Sequence, residues 1–139
     1  MEYRPFGGTD FAVSVMGLGC MSMSGAYGAA DDDASIATLH RAFDLGINFL
    51  DTSGAYGEGH NHRLLARALK GRRERIVVCT KSGTSRVAEP DGYRPGGGPE
   101  YLTKACEDSL RDLDTDRLDI YCMSRIDPRV PVEESMGAM

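Results

Sequence analysis

Three hydrophobic runs in this chain each end on a polar group suited to acid–base chemistry. Asn-Phe-Leu leads into Asp51-Thr-Ser-Gly-Ala-Tyr56-Gly, Ile76-Val-Val-Cys-Thr leads into Lys81, and Leu118-Asp-Ile-Tyr-Cys-Met leads into Ser124. A carboxylate, a phenol, an amine and a hydroxyl brought into one pocket suit proton transfer, with Tyr56 as the acid. A tyrosine phenol ordinarily titrates near pH ~10, too high to exchange its proton readily at neutral pH. A neighbouring ammonium stabilises the phenolate, and a carboxylate keeps that ammonium charged and aimed. Each residue also has a plainer use: Asp51 as a loop cap, Lys81 as a solvated strand end, Tyr56 as loop packing.

The elements that must carry these groups read as strand-then-helix repeats. Arg4 to Val15, with Gly7-Gly8 between short extended pieces, predicts a β-hairpin. Val15 to Cys20 predicts a first buried strand. Asp31-Asp32-Asp33 suits a helix start, where carboxylates meet exposed N–H groups and the positive dipole end. Ile36, Leu39, Ala42 and Phe43 form that helix's apolar stripe, and Gly46 ends it. Ile47 to Leu50 is a second strand. Leu64, Leu65, Ala68 and Leu69 form a second helical stripe that Gly71 terminates. Arg75 to Thr80 is an unbroken, β-branched third strand, as expected for a strand covered on both faces. Residues 82–98 read as a long loop or mobile lid ending in Gly96-Gly97-Gly98. No strand leads directly into those glycines, so a flexible lid or linker fits them better than a phosphate cradle. Pro99 opens a third helix at its favoured first position, with Leu102, Ala105, Cys106, Ser109, Leu110 and Leu113 on one side. Leu118 to Met123 is a fourth strand, and Pro131 with Glu133-Glu134 starts a fourth helix.

The inventory predicts a parallel α/β fold of four βα units, half of a TIM (β/α)₈ barrel with an N-terminal hairpin. A closed barrel takes eight units and about 250 residues, with its active site at the C-terminal ends of the strands. At 139 residues the chain is one half-barrel domain, residues 1–139, truncated in its fourth helix. Half a barrel leaves strand edges unpaired, which proteins normally avoid, so a homodimer is expected.

Gly17-Leu-Gly-Cys-Met21, Gly46 to Gly57, Leu64 to Arg73, Thr80-Lys81, Arg125-Ile-Asp-Pro128 and Pro131-Val-Glu-Glu134 occur in order and at matching spacing. Together they resemble the N-terminal half of an aldo-keto reductase. The resemblance implies an oxidoreductase scaffold on a TIM barrel that uses NADPH to interconvert carbonyls and alcohols. Tyr56 matches that family's proton donor, Lys81 the lysine beside it, and Asp51 the carboxylate that pairs with the lysine and borders the cofactor. Where the family carries a histidine that orients the carbonyl, this chain has Ser124, which can hydrogen-bond but carries no charge. His62 stands where the family usually has Glu and reads as a helix-surface residue. Met21, Met23, Tyr27, Tyr93 and Met123 are candidates to line an apolar substrate pocket.

The family grips its cofactor chiefly with the fifth to eighth strands, which this sequence does not contain. Two alternatives therefore stand beside the reductase. One is a non-redox acid–base enzyme (a dehydratase, isomerase or cyclase) working as a dimer of half-barrels without cofactor. The other is a non-catalytic pseudoenzyme or a fragment.

Composition narrows the class. Hydrophobic residues make up 41% and charged residues 27%, as in globular domains. A net charge of −5 favours neither nucleic acid nor an anionic membrane surface. No apolar run reaches the ~18 residues of a membrane span, and the N-terminus lacks a signal-peptide pattern, which points to the cytoplasm. Cys20, Cys79, Cys106 and Cys122 have no Cys-x-x-Cys spacing and read as buried reduced thiols rather than disulfides or metal ligands. A small-molecule substrate is the expected partner.

Overall fold

The computed structural model of the chain describes residues 1–83, 90–92 and 96–139. Its elements follow the expected repeat. β1 (Tyr3–Pro5) and β2 (Ala12–Ser14) form an antiparallel hairpin. β3 (Leu18–Gly19), β4 (Phe49–Asp51), β5 (Val77–Ser82) and β6 (Ile120–Met123) form one parallel sheet in chain order. Helices α1 (Asp32–Asp44), α2 (His60–Leu69) and α3 (Pro99–Asp112) connect them, and α4 (Val132–Ala138) follows β6.

Local chemistry sets the ends of these elements. The Asp31 side chain accepts a hydrogen bond from Ala34 N and caps α1. At the other end Gly46, at φ 88°, donates to Phe43 O while Ile47 donates to Ala42 O. That paired pattern closes the helix and turns the chain into β4, and it requires a residue tolerant of positive φ. β5 starts two residues later than expected. The Arg73 guanidinium donates to Ile76 O and Arg117 O and pairs with Asp119 at 2.8 Å, holding Arg73–Arg75 in a 3-10 turn. The strand correspondingly runs on through Lys81 and Ser82. β3 is shorter than expected: Val15 and Met16 are exposed, and only Leu18 and Gly19 pair with β4.

The core lies between the sheet and its helices. Leu39 of α1, Leu64, Leu65, Ala68 and Leu69 of α2, and Leu113 pack on Cys20, Leu50 and Val78. Strand alternation divides β5 between two faces. Val78 joins this core and Thr80 meets α2, whereas Cys79 and Lys81 face away from the helices. The four cysteines are free thiols, with Cys79 Sγ 3.7 Å from Cys122 Sγ. Burial pushes the thiols of Cys20 and Cys79 up to about 12; the nearby Cys122 adds to the shift at Cys79.

The glycines before α3 correct one expectation. Gly96 and Gly97 are not a flexible linker: both are buried, and their N–H groups donate to the Asp127 carboxylate at 3.2 and 3.1 Å. A Cβ on Gly97 would lie 2.3 Å from Asp127 Cβ, so the chains approach closely only because a side chain is missing there. Ser135 of α4 donates to Gly97 O at 2.7 Å and clamps the same point. Most of the expected lid, residues 84–89 and 93–95, lies outside the described residues.

Two predictions follow from this packing. Gly97→Ala should destabilise the fold by about 1–3 kcal/mol in urea titration. Gly137→Ala, in α4 with nothing within 4 Å of the new methyl, should be neutral or stabilising by up to about 1 kcal/mol. Equal effects of the two would refute the packing argument. The thiols predict alkaline sensitivity. In the unfolded chain they ionise near the ordinary 9.0 but in the fold only near 12, so their stabilising contribution is full below pH 9.0 and declines as pH rises toward 12. Urea midpoints should fall across that window, and less steeply in Cys20→Ala, Cys79→Ala.

Candidate active site

Asp51 ends β4 and Lys81 sits in β5, so the parallel pairing of these strands brings both side chains to one C-terminal rim. Lys81 Nζ donates to Asp51 Oδ1 at 2.6 Å and to Thr52 O at 2.9 Å. It also approaches Tyr56 Oη at 3.4 Å, a longer and weaker contact. Burial alone would lower the Lys81 pKa. The hydrogen bond and charge of Asp51, with Tyr56 adding, outweigh burial and raise it above its usual value. Lys81 therefore stays an ammonium throughout the neutral range, pointing its charge at the phenol oxygen.

The loop carrying Tyr56 is braced from below. Tyr56 N donates to Ser53 O, the Ser53 hydroxyl donates to Lys81 O at 3.3 Å, and Asn61 N donates to Tyr56 O. Fully buried Asn61 at the start of α2 does most of this. Its amide accepts from Thr52 Oγ1 at 2.6 Å and donates to Cys20 O and Ser24 Oγ, each at 2.8 Å. Beside it Ser24 Oγ lies 2.9 Å from His60 Nδ1, and His60 Nε2 lies 2.9 Å from Asp32 Oδ1. Since the carboxylate can only accept, His60 Nε2 donates to Asp32.

His62 is buried, not on the surface. Its Nε2 lies 2.8 Å from Thr80 Oγ1, both residues being 0% exposed. The reason is helical spacing: positions 62, 65 and 69 share the face that packs on the sheet. Extending the apolar stripe back by one turn reaches both Asn61 and His62, a signal present in the sequence but hidden by their polar side chains.

Ser124 follows β6, and its hydroxyl donates back to Ser82 O at 2.8 Å. Its proton is thus engaged by the sheet rather than presented beside Tyr56. The apolar candidates scatter. Met23 is a core residue at 7% exposure, Tyr27 projects into solvent at 80%, and Met123 packs over Gly83. Met21 is half-buried on the 3-10 turn after β3, and Tyr93 lies outside the described residues. Among the described residues no cluster of His, Cys, Asp and Glu could hold a metal ion. No described helix is long and apolar enough to cross a membrane.

Known proteins resemble this chain over nearly its whole length. The sequence model of the aldo/keto reductase family matches residues 15–139. The chain belongs to the aldo-keto reductase family. It is 38% identical over 135 residues to probable aldo-keto reductase 1 of Glycine max, covering 96% of this chain and 39% of that one. Aldo-keto reductase AKR11C1 from Bacillus halodurans, in its holo form, superposes with a TM-score of 0.87 at 34% identity, over 99% of this chain and 45% of that one. The glycerol dehydrogenase AKR11B4 from Gluconobacter oxydans gives 0.83 at 32% identity, over 98% and 43%. This aldo-keto reductase chain therefore spans less than half the length of these relatives, and its sheet is part of a barrel.

Asn61→Leu tests the bracing. It would leave the buried Thr52 hydroxyl without its partner, at about 1–3 kcal/mol for an unsatisfied group, and would remove one of the two hydrogen bonds made by Cys20 O and one made by Ser24 Oγ. A loss of about 2 kcal/mol or more is expected from urea titration; a loss below about 1 kcal/mol would show that the amide is dispensable.

Proposed function

We propose that this chain supplies the proton-transfer half of a carbonyl–alcohol oxidoreductase acting on a small molecule, with Tyr56 as general acid–base. The observation that carries the reading is Lys81 Nζ, 2.6 Å from Asp51 and 3.4 Å from the Tyr56 phenol. Tyr56 Oη gives its proton to the substrate oxygen as that oxygen gains negative charge. The Lys81 ammonium stabilises the oxygen left behind, and Asp51 keeps Lys81 charged and aimed. In the oxidative direction the same oxygen takes the proton back. Ser124 brings no charge, and its hydroxyl is engaged by Ser82 O, so Tyr56 carries the proton chemistry alone.

NADPH is the cofactor this reading implies, and its chemistry is hydride donation. The described residues fit it poorly as a whole. Gly96 and Gly97, the glycine N–H groups that could cradle phosphate, already donate to Asp127. The phosphate-holding part of the site is thus assigned to the remainder of the barrel, and the cell's cytoplasm to the protein. β3 and β6 lie at the two edges of the sheet. On its own the 139-residue chain is expected to cover them with a second copy.

In the longer barrel-forming protein, Tyr56→Phe should lower kcat by about 100-fold or more with KM within a few-fold. A kcat within threefold of the parent would end the acid–base assignment. Sedimentation of the short chain should give twice its 15.1 kDa mass without NADPH absorbance; a stable monomer would refute self-association.

A further inference from the structure

A cleft lies at the opposite end of the sheet from Tyr56, where the chain enters the strands. Its lining includes Ile47 and Asn48, just before β4, and Ile76, just before β5. Tyr3, Phe43, Ile47 and Ile76 make an apolar floor and wall, and Arg72 and Arg75 stand at its border. The cavity is about 200 Å³; one of ~150 Å³ is enough to hold benzene.

The charge at this cleft is left over by the fold. In Arg72-Arg73-Glu74-Arg75, Arg73 pairs with Asp119 and Glu74 pairs with Arg117. Among the described residues no carboxylate pairs with Arg72 or Arg75, and the cleft lining contains no Asp or Glu. Arg72 and Arg75 thus line one partly apolar cleft without a carboxylate ion partner, Arg75 also bordering a second hollow, in a chain whose net charge is −5. Its walls are fixed. Tyr3 Oη donates to Gly46 O at 2.8 Å, and Asn48 bonds to Ser14 N and Ala12 O. A side chain at Gly46 would collide with Met1 and Tyr3. The neighbouring hollow, which shares Asn48, Arg75 and Ile76, differs in carrying three carboxylates, Asp10, Glu74 and Asp119, beside Arg117.

We propose that this cleft binds a small organic anion, a carboxylate on a flat apolar ring, with Arg72 and Arg75 holding the carboxylate and Phe43, Ile47 and Tyr3 the ring. Guanidinium groups suit carboxylates by their planar, forked donors, and the apolar floor rewards a ring over a bare anion. The assignment is independent of the chemistry at Tyr56.

Benzoate and inorganic phosphate are the probes, titrated by calorimetry and by amide chemical shifts into the 139-residue chain and the longer protein. Benzoate should saturate, with shifts at residues 43–48 and 72–76, and phosphate should bind at least tenfold more weakly. The double variant Arg72→Gln, Arg75→Gln should weaken benzoate at least tenfold. Each single variant should weaken it less, which gives the same readout if the double variant misfolds. Tyr56→Phe should leave benzoate binding unchanged. Absence of saturation, equal affinity for phosphate, no effect of the arginine variants, or loss of binding in Tyr56→Phe would each overturn the proposal.

Discussion

One buried amide holds the working end of this half-barrel together. Asn61 joins the end of β3 through Cys20 O, the end of β4 through Thr52, the following turn through Ser24, and the tyrosine loop through Tyr56 O. Thr52 and Asn61 are fully buried, and in low dielectric such a network is worth most when complete. The catalytic candidates inherit their positions from it. Lys81 takes its aim from Thr52 O and Asp51, both of which sit at the strand end that Asn61 fixes.

The sheet separates two kinds of polar residue. On the helix side Thr80, His62 and Asn61 are fully buried and bonded to one another or to backbone. On the other side Asp51 and Lys81 remain partly exposed, and Lys81 meets the phenol. Scaffold and chemistry are therefore adjacent in sequence but on opposite faces of one layer. The N-terminal pole has its own logic, with Arg73 and Asp119 closing a turn while Arg72 and Arg75 line the cleft.

Much of this was legible in the residues. The hairpin, the order of strands and helices, the Asp31 cap, the Gly46 stop and the convergence of Asp51, Tyr56 and Lys81 all follow from periodicity and punctuation. What escaped depends on distance along the chain. No local pattern tells that Arg73 will reach Arg117 O and delay β5. None tells that Gly97 must admit Asp127, or that Ser124 will turn its proton to Ser82. Met23 looks like Met21 in sequence, and only packing places it in the core. His62 and Asn61 were hidden for a different reason: polarity disguised two positions of a buried helical face.

Alternation along β5 gives Thr80 and Lys81 opposite destinations, and a slip of one residue would exchange them. The ammonium would then enter the core against His62, and a hydroxyl would replace it on the rim. The His62–Thr80 bond, 2.8 Å long and sealed from water, is satisfied in one alignment of strand and helix only. It works as a key for strand register: a contact on the silent face of the sheet that fixes which side chain is offered on the other.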